Sequence, residues 1–300
     1  MRRLLISMLA ASCLLVLVPT FADAQQPAPA KPAPVDDSEE LAKKLSNPIS
    51  DLVSVPFQFN FRQKVGPLEL SQFVLNIQPV VPFALNKNWN MIARVIVPFI
   101  GQPPLFVDRA AASHHDERAS RIDAASFLFD GAASGVGDIT ASLFFSPKTT
   151  GGFTWGAGPA FVLPASYQPT IGSGHWSIGP TAVALQQTGP WTVGVLWNQV
   201  WSFAGDPRRE DVNQMFLQPF CSYQATKTLT LTIQSESTAN WEGESDTWTV
   251  PINFIVAKLS TFGHFPASYQ LGAGVYPAHP DSGPTWKIRA AIVILLPKER

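Results

Sequence analysis

The sequence predicts an all-β fold: a transmembrane, antiparallel, up-and-down β-barrel of about twelve strands, preceded by a short N-terminal periplasmic helix. Three observations carry that expectation. Period-two alternation recurs in about twelve segments, most of them ten to thirteen residues long. Ordinary globular strands cluster near five or six residues, whereas a tilted membrane-spanning strand needs about 9–11. Connections alternate between tight turns and longer polar loops, the asymmetry of barrels whose turns face one side of a membrane and whose loops face the other. Finally, hydrophobic residues make up 46% of the 300-residue chain and charged residues only 14%, against about 25% charged in a soluble domain.

The N-terminus reads as an export signal. Arg2 and Arg3 precede an apolar run from Leu4 to Phe21, and Ala22-Asp23-Ala24 supplies an A-x-A cleavage site. An uncleaved anchor helix and a lipoprotein signal at Cys13 are the competing readings. Beyond Phe21 no apolar run approaches the 18 or so residues of a spanning helix. Cleavage removes Cys13 and leaves Cys221 without an intramolecular partner, so no disulfide framework is expected; flanked by Phe220 and Tyr223 in a strand pattern, Cys221 reads as a wall residue. The expected organisation is a signal peptide over 1–24, a Pro/Ala linker and short helix over 25–50, and the barrel over 51–300. In the helix, Asp37 and Glu40 fit a capping box, Leu41 and Leu45 share a face, and Pro48 stops the run. Two placements are open: a tether outside the barrel, or a plug that enters the lumen.

The strand segments fall at 54–63, 72–85, 89–100, 136–146, 153–164, 175–186, 190–202, 212–224, 227–238, 247–258, 266–276 and 285–297. "NKN" (Asn86–Asn88), "QTG" (Gln187–Gly189) and "ATK" (Ala225–Lys227) are tight turns, while "GDPRRED", "ANWEGESD" and "AHPDSG" are polar loops. The stretch Gly101–Gly135 is the longest connection and is expected to fold over or into the mouth. Eight prolines, at 56, 79, 82, 98, 159, 180, 219 and 251, fall within the segments. Each removes a ladder donor, so bulges or bends are expected there.

Faces follow from parity. In the first segment Val55, Phe57, Phe59 and Phe61 alternate with Gln58, Asn60 and Arg62. The Phe-rich face is expected to meet lipid, since aromatic residues also cluster at segment ends as interfacial girdles require. Arginine at position 59 is therefore expected to be costly and at position 58 to be tolerated. The polar face lines a wet lumen, whose candidate channel residues are Arg62, Arg94, Lys287, Arg289, Asp138, Glu236, Asn60, Asn76 and Gln78. Closure makes the first and last strands neighbours, so Arg62, Lys287 and Arg289 share one wall, joined by Arg94. Rings of cations favour anions. The competing reading is that the loop carboxylates Glu69 and Asp281 neutralise the cluster.

Catalytic and binding motifs are sparse. His114, His115, Asp116 and Glu117 are adjacent in the long loop, but neighbours in sequence seldom converge on one ion. "GVGD" and "GAG" lack the strand–glycine–helix context of a phosphate loop. His175, His264 and His279 have no companion motif for nucleophilic catalysis. No catalytic residue, metal or cofactor is expected, and the near-neutral charge gives no basic patch for nucleic acid. The partners expected are a lipid bilayer and small-molecule solutes.

The stretches "NPISDLVSVPFQFNF", "VLNIQPVVPFALNKNWNMIARVIVPFIGQPP", "GVGDITASLFFSP", "WGAGPAFVLPA", "GSGHWSIGPTAVAL", "PWTVGVLWNQVWSFAGD" and "VNQMFLQPF" resemble a bacterial barrel family labelled meta-pathway phenol degradation protein, or simply transporter. The resemblance runs from about Asn47 to the C-terminus and includes the unusual prolines. It implies an outer-membrane, porin-like β-barrel in a Gram-negative envelope, with uptake of small organic compounds. Three function classes stand: a passive or selective channel, a structural or surface-interaction barrel that does not conduct, and a barrel enzyme.

Overall fold

The computed structural model describes residues 37–66, 68–102, 133–149, 151–166, 168–243 and 247–296. Among them run twelve antiparallel strands. These are β1 (Val53–Val65), β2 in two pieces (Leu70–Ile77 and Val80–Ala84), β3 (Trp89–Gln102) and β4 in two pieces (Ala133–Val136 and Ile139–Pro147). They continue as β5 (Phe153–Leu163), β6 (His175–Thr188), β7 (Trp191–Gly205) and β8 (Asn213–Gln224). The last four are β9 in two pieces (Leu229–Ser235 and Ser237–Asn240), β10 (Trp248–Phe262), β11 (Phe265–Ala278) and β12 (Trp286–Leu296). Each pairs with its sequence neighbours, and β12 returns to β1 in register from Val53↔Leu296 to Gln63↔Trp286. Closure removes every free edge, the condition for a sheet surrounded by hydrocarbon.

Every predicted segment is a strand, within a few residues at each end. The turns are tighter than expected in two places. β6 and β7 are joined only by Gly189 and Pro190, with Gly189 at φ 55°, and β10 and β11 by Gly263 and His264, with Gly263 at φ 58°. Glycine takes that left-handed backbone at no steric cost.

The prolines explain why three strands are split. Pro79 separates the pieces of β2, yet its carbonyl still accepts from the Val95 amide at 3.1 Å. Pro98 lies opposite the break in β4, where the Gly137 amide donates to its carbonyl at 2.8 Å. The registers set Pro219 of β8 opposite Ser235 and Pro251 of β10 opposite Glu236, so β9 loses donors from both neighbours at its break. A register shift between Val250 and Ile252 adds a bulge at Pro251. Pro159 and Pro180 face each other across β5 and β6.

Outward positions carry exposed aromatic and aliphatic side chains, among them Phe61, Phe83, Phe145, Phe254 and Leu271. Tryptophans cluster at both ends of the wall. Trp89 meets Trp155 edge to face at 6.0 Å and Trp191 meets Tyr223 at 4.7 Å at the end bearing the tight turns. Trp241 meets Trp248 at 5.8 Å at the loop end.

The helix α1 (Asp37–Leu45) does not stand outside the barrel as the tether reading expected. It enters the tight-turn end of the lumen. There Leu41, Leu45 and Leu52 pack on inward-facing Leu259, Val293 and Leu295. Ile49 sits in a second cluster with Ile92, Phe144, Val183 and Leu196. The Gln187 and Gln224 side-chain amides donate to the Lys43 and Glu39 carbonyls at 3.0 and 3.2 Å. An inner wall this apolar would be costly in water, and an amphipathic helix covers it. The expected signal peptide and Pro/Ala linker, the greater part of Gly101–Gly135 with its His114–Glu117 group, and the last four residues lie outside the described residues.

Candidate functional site

Above the plugged end the inward face is polar, and its side chains form hydrogen-bonded layers, the larger of them centred on Arg289 and Glu236. Arg94 on β3 donates to Gln78 Oε1 at 2.8 Å, and Gln78 donates onward to Gln58 Oε1 at 3.1 Å. Asn76 and Asn60 donate to the same Gln58 oxygen at 3.2 and 3.5 Å. Asn60, only 2% exposed, accepts from Arg289 Nε at 2.8 Å. Arg289 continues to Glu236, its Nη1 donating to Oε1 at 2.9 Å and its Nη2 to Oε2. Glu236 Oε1 also accepts from Gln234 at 3.2 Å, and Gln218 reaches Gln234 at 3.2 Å. The chain of bonds thus crosses β3, β2, β1, β12, β9 and β8.

Lys287 joins it, with Nζ 3.2 Å from Glu236 Oε2 and 5.6 Å from the centre of the Tyr276 ring. Lys287 and Arg289 are each 3% exposed. They reach β9 from β12, and the inward positions on β11 directly opposite them in the register are Gly274 and Gly272. A Cβ at Gly274 would overlap Asn253 Oδ1 and one at Gly272 would fall 3.0 Å from Ile255 Cγ1, so these glycines make room for the inward side chains of β10. Glu236 protrudes where proline removes the ladder on both sides, so the backbone break and the charge cluster coincide.

Arg62 pairs in register with Lys287, and its Nη1 donates to Gln72 Oε1 at 3.0 Å. Gln72 donates to Gln102, which brings β3 into this outer layer. Between the network and the N-terminal segment lies a cavity of about 230 Å³. Arg94, Arg289, Gln58 and Glu236 line one side of it, and Leu45, Leu52 and Leu259 line the other.

Eight of the nine candidate residues thus join these two hydrogen-bonded layers. Asp138 does not. It lies in the gap of β4, where Oδ2 accepts from the Ser173 amide and hydroxyl, both at 2.6 Å, and so anchors the loop before β6. Of the two loop carboxylates, Glu69 pairs with Lys64 at 3.2 Å instead, and the carboxylate paired with Lys287 and Arg289 is Glu236. The glutamines 58, 72, 102, 218 and 234 were not among the candidates. All share the inward parity of their strands, which was the available signal.

One histidine needs separate treatment. His175 is buried, with Nδ1 3.1 Å from the Ser173 carbonyl oxygen and Nε2 3.9 Å from Asp211 Oδ1. Ser202 Oγ donates to Asp211 at 2.9 Å and not to the imidazole. A nucleophilic serine needs the imidazole as its base, so this order is the wrong one. Among the described residues no group of three or more His, Cys, Asp or Glu could hold a metal ion.

No family model matches the chain, and no curated protein matches its sequence. Solved structures do match. An outer-membrane channel from Pseudomonas putida F1 aligns with a TM-score of 0.56 at 16% identity, covering 82% of this chain and 94% of that one. The NanC porin aligns with a TM-score of 0.50 at 8% identity, covering 81% of this chain and all of that one. At these identities the likeness shows the fold: a closed antiparallel barrel of the outer-membrane channel type.

Proposed function

We propose that the protein is a bacterial outer-membrane channel for small solutes, reached by way of a cleaved signal peptide, with its polar loops outside the cell. The carrying observation is the inner wall: four cations, Arg62, Arg94, Lys287 and Arg289, against one carboxylate, Glu236, set among amides. Buried charge is costly unless it serves a purpose, and in a membrane wall it marks solute or ion paths. The lumen therefore leans toward anions. The resemblance to the phenol degradation and transporter family adds small organic compounds as the cargo class. No catalytic role is assigned.

A second reading, a structural barrel that does not conduct, is favoured by the N-terminal segment, which packs across the tight-turn end of the lumen. Conductance of the purified protein in a planar bilayer separates the two. The full chain is expected to give small, resolvable steps, and a variant lacking residues 37–50 larger ones. Silence from both, with folded barrel on a heat-modifiability gel, would favour the structural reading.

A further inference from the structure

Two cations of the lumen, Arg62 and Arg94, donate to neutral glutamines and make no ion pair among the described residues. Among the described residues Glu236 forms ion pairs with Lys287 and Arg289, while Arg94 bonds only the neutral Gln78 oxygen, at 2.8 Å. Arg94 nonetheless lines the cavity between network and plug. A guanidinium held away from bulk water with no carboxylate bonded to it is unfavourable, and an arriving anion relieves it. Its planar fork, with one Nη committed to Gln78, matches a carboxylate better than it matches a spherical ion. The rest of the cavity lining mixes hydrocarbon with hydroxyl and amide groups. Leu45 and Leu52 from the N-terminal segment, with Ile255, Leu259 and Val293 from the wall, present hydrocarbon. Lys44, also in the lining, is paired with Glu40 and Asp51, so the cation left without an ion pair is Arg94 and the hydrocarbon is supplied by the leucines. Glu236, on the same side as Arg94, disfavours a second negative charge.

We propose that this cavity is a binding site for a small organic monoanion, one carboxylate on an apolar body, with Arg94 holding the carboxylate and the N-terminal leucines covering the body. The proposal rests on the reading of the lumen as a solute path. The plug then has two faces of function: it narrows the lumen and supplies half of the site.

Isothermal titration of the purified full-length protein in lipid nanodiscs tests it, with hexanoate as probe and hexanamide and hexylammonium as neutral and cationic counterparts. Hexanoate is expected to bind at least about tenfold more tightly than hexanamide, with no binding of hexylammonium. Arg94→Gln should remove the preference, Arg94→Lys should keep part of it, and Thr232→Met, which fills the cavity from β9, should weaken binding without touching a charge. Should Arg94→Gln fail to fold on a heat-modifiability gel, the amide comparison and Thr232→Met carry the test. A free acid and a membrane fatty acid share this chemistry, so dodecanoate is run in parallel. Tighter hexanoate binding assigns a soluble source and tighter dodecanoate binding a lipid one. Equal binding of hexanoate and hexanamide, or unchanged hexanoate binding in folded Arg94→Gln, would overturn the proposal. Titration does not require conduction: hexanoate binding in a silent barrel sinks the channel reading alone, and conduction without hexanoate binding sinks the site alone.

Discussion

Glu236 answers two buried cations at once, and a residue in that position is vulnerable. Removing one partner of a buried ion pair leaves uncompensated charge and typically costs about 3–5 kcal/mol. Glu236→Gln keeps the shape and the bond from Gln234 but strands Lys287 and Arg289 together. It is expected to lower stability by about that amount, read as the shift in denaturant unfolding of the barrel in phospholipid vesicles. A cost within that of an exposed pair, under about 1 kcal/mol, would mean that water already solvates the cluster. The exposed loop after β7 offers a contrasting case. Arg208 donates from its side chain to Asp206 at 2.9 and 3.0 Å and from its backbone at 3.1 Å, and holds that carboxyl down at about 2. Because the folded value lies below the unfolded one, the contribution is complete above the ordinary carboxylate range and is lost as pH falls through about 2. The side-chain carboxyl ¹³C resonance of Asp206 should therefore titrate near 2, and a midpoint near 4 would refute the pairing.

At the scale of elements, β1 carries the sharpest test of the two faces. Phe59 points outward beside Phe73, with ring centroids 6.4 Å apart, while Gln58 points into the network. Phe59→Arg should cost about 2–4 kcal/mol if the position lies near the bilayer midplane. Gln58 behaves differently from the sequence expectation. Its Oε1 accepts from Asn60, Asn76 and Gln78, and an arginine has no acceptor to offer them. Gln58→Arg is therefore expected to destabilise, whereas Gln58→Glu, which keeps the oxygen and adds charge beside the Arg94–Gln78 pair, should be mild. Refolding yields into vesicles that rank Glu above Arg at 58 support the network; the reverse order excludes it. The strands were legible because a period of two leaves no ambiguity once turn residues bound each run. The helix placement was not, since an amphipathic stretch does not name the surface that covers it. A partial signal was present: Val293 and Leu295 fall on the inward parity of β12, and an apolar inner face asks for a cover. The Lys287–Glu236 contact was illegible for another reason. It crosses β11 and β10, and only the assembled register reveals that the inward positions of β11 beside Lys287 and Arg289 are glycines.

For the molecule as a whole, the balance of charge inside the wall decides what the lumen favours. Arg62, Arg94, Lys287 and Arg289 face the interior with Glu236 as the only carboxylate in their network, and Asp138 is occupied by the Ser173 loop. Such an excess acts on any ion that crosses the lumen, because charges partly buried in the wall are screened by salt less than surface charges are. The reversal potential across a potassium chloride gradient is expected to report anion selectivity. Two substitutions within one ion pair should then move it in opposite directions. Arg289→Gln removes a cation and frees Glu236 to attract potassium, so selectivity should fall toward zero or invert. Glu236→Gln removes the carboxylate paired with Lys287 and Arg289, so the barrels that still insert should become more anion-selective. Bilayer recording suits this comparison, since only folded barrels insert and the stability cost of either change does not enter the potential. If both variants shift the potential the same way, or neither does, the current bypasses the network, and selectivity must be sought in the loop end.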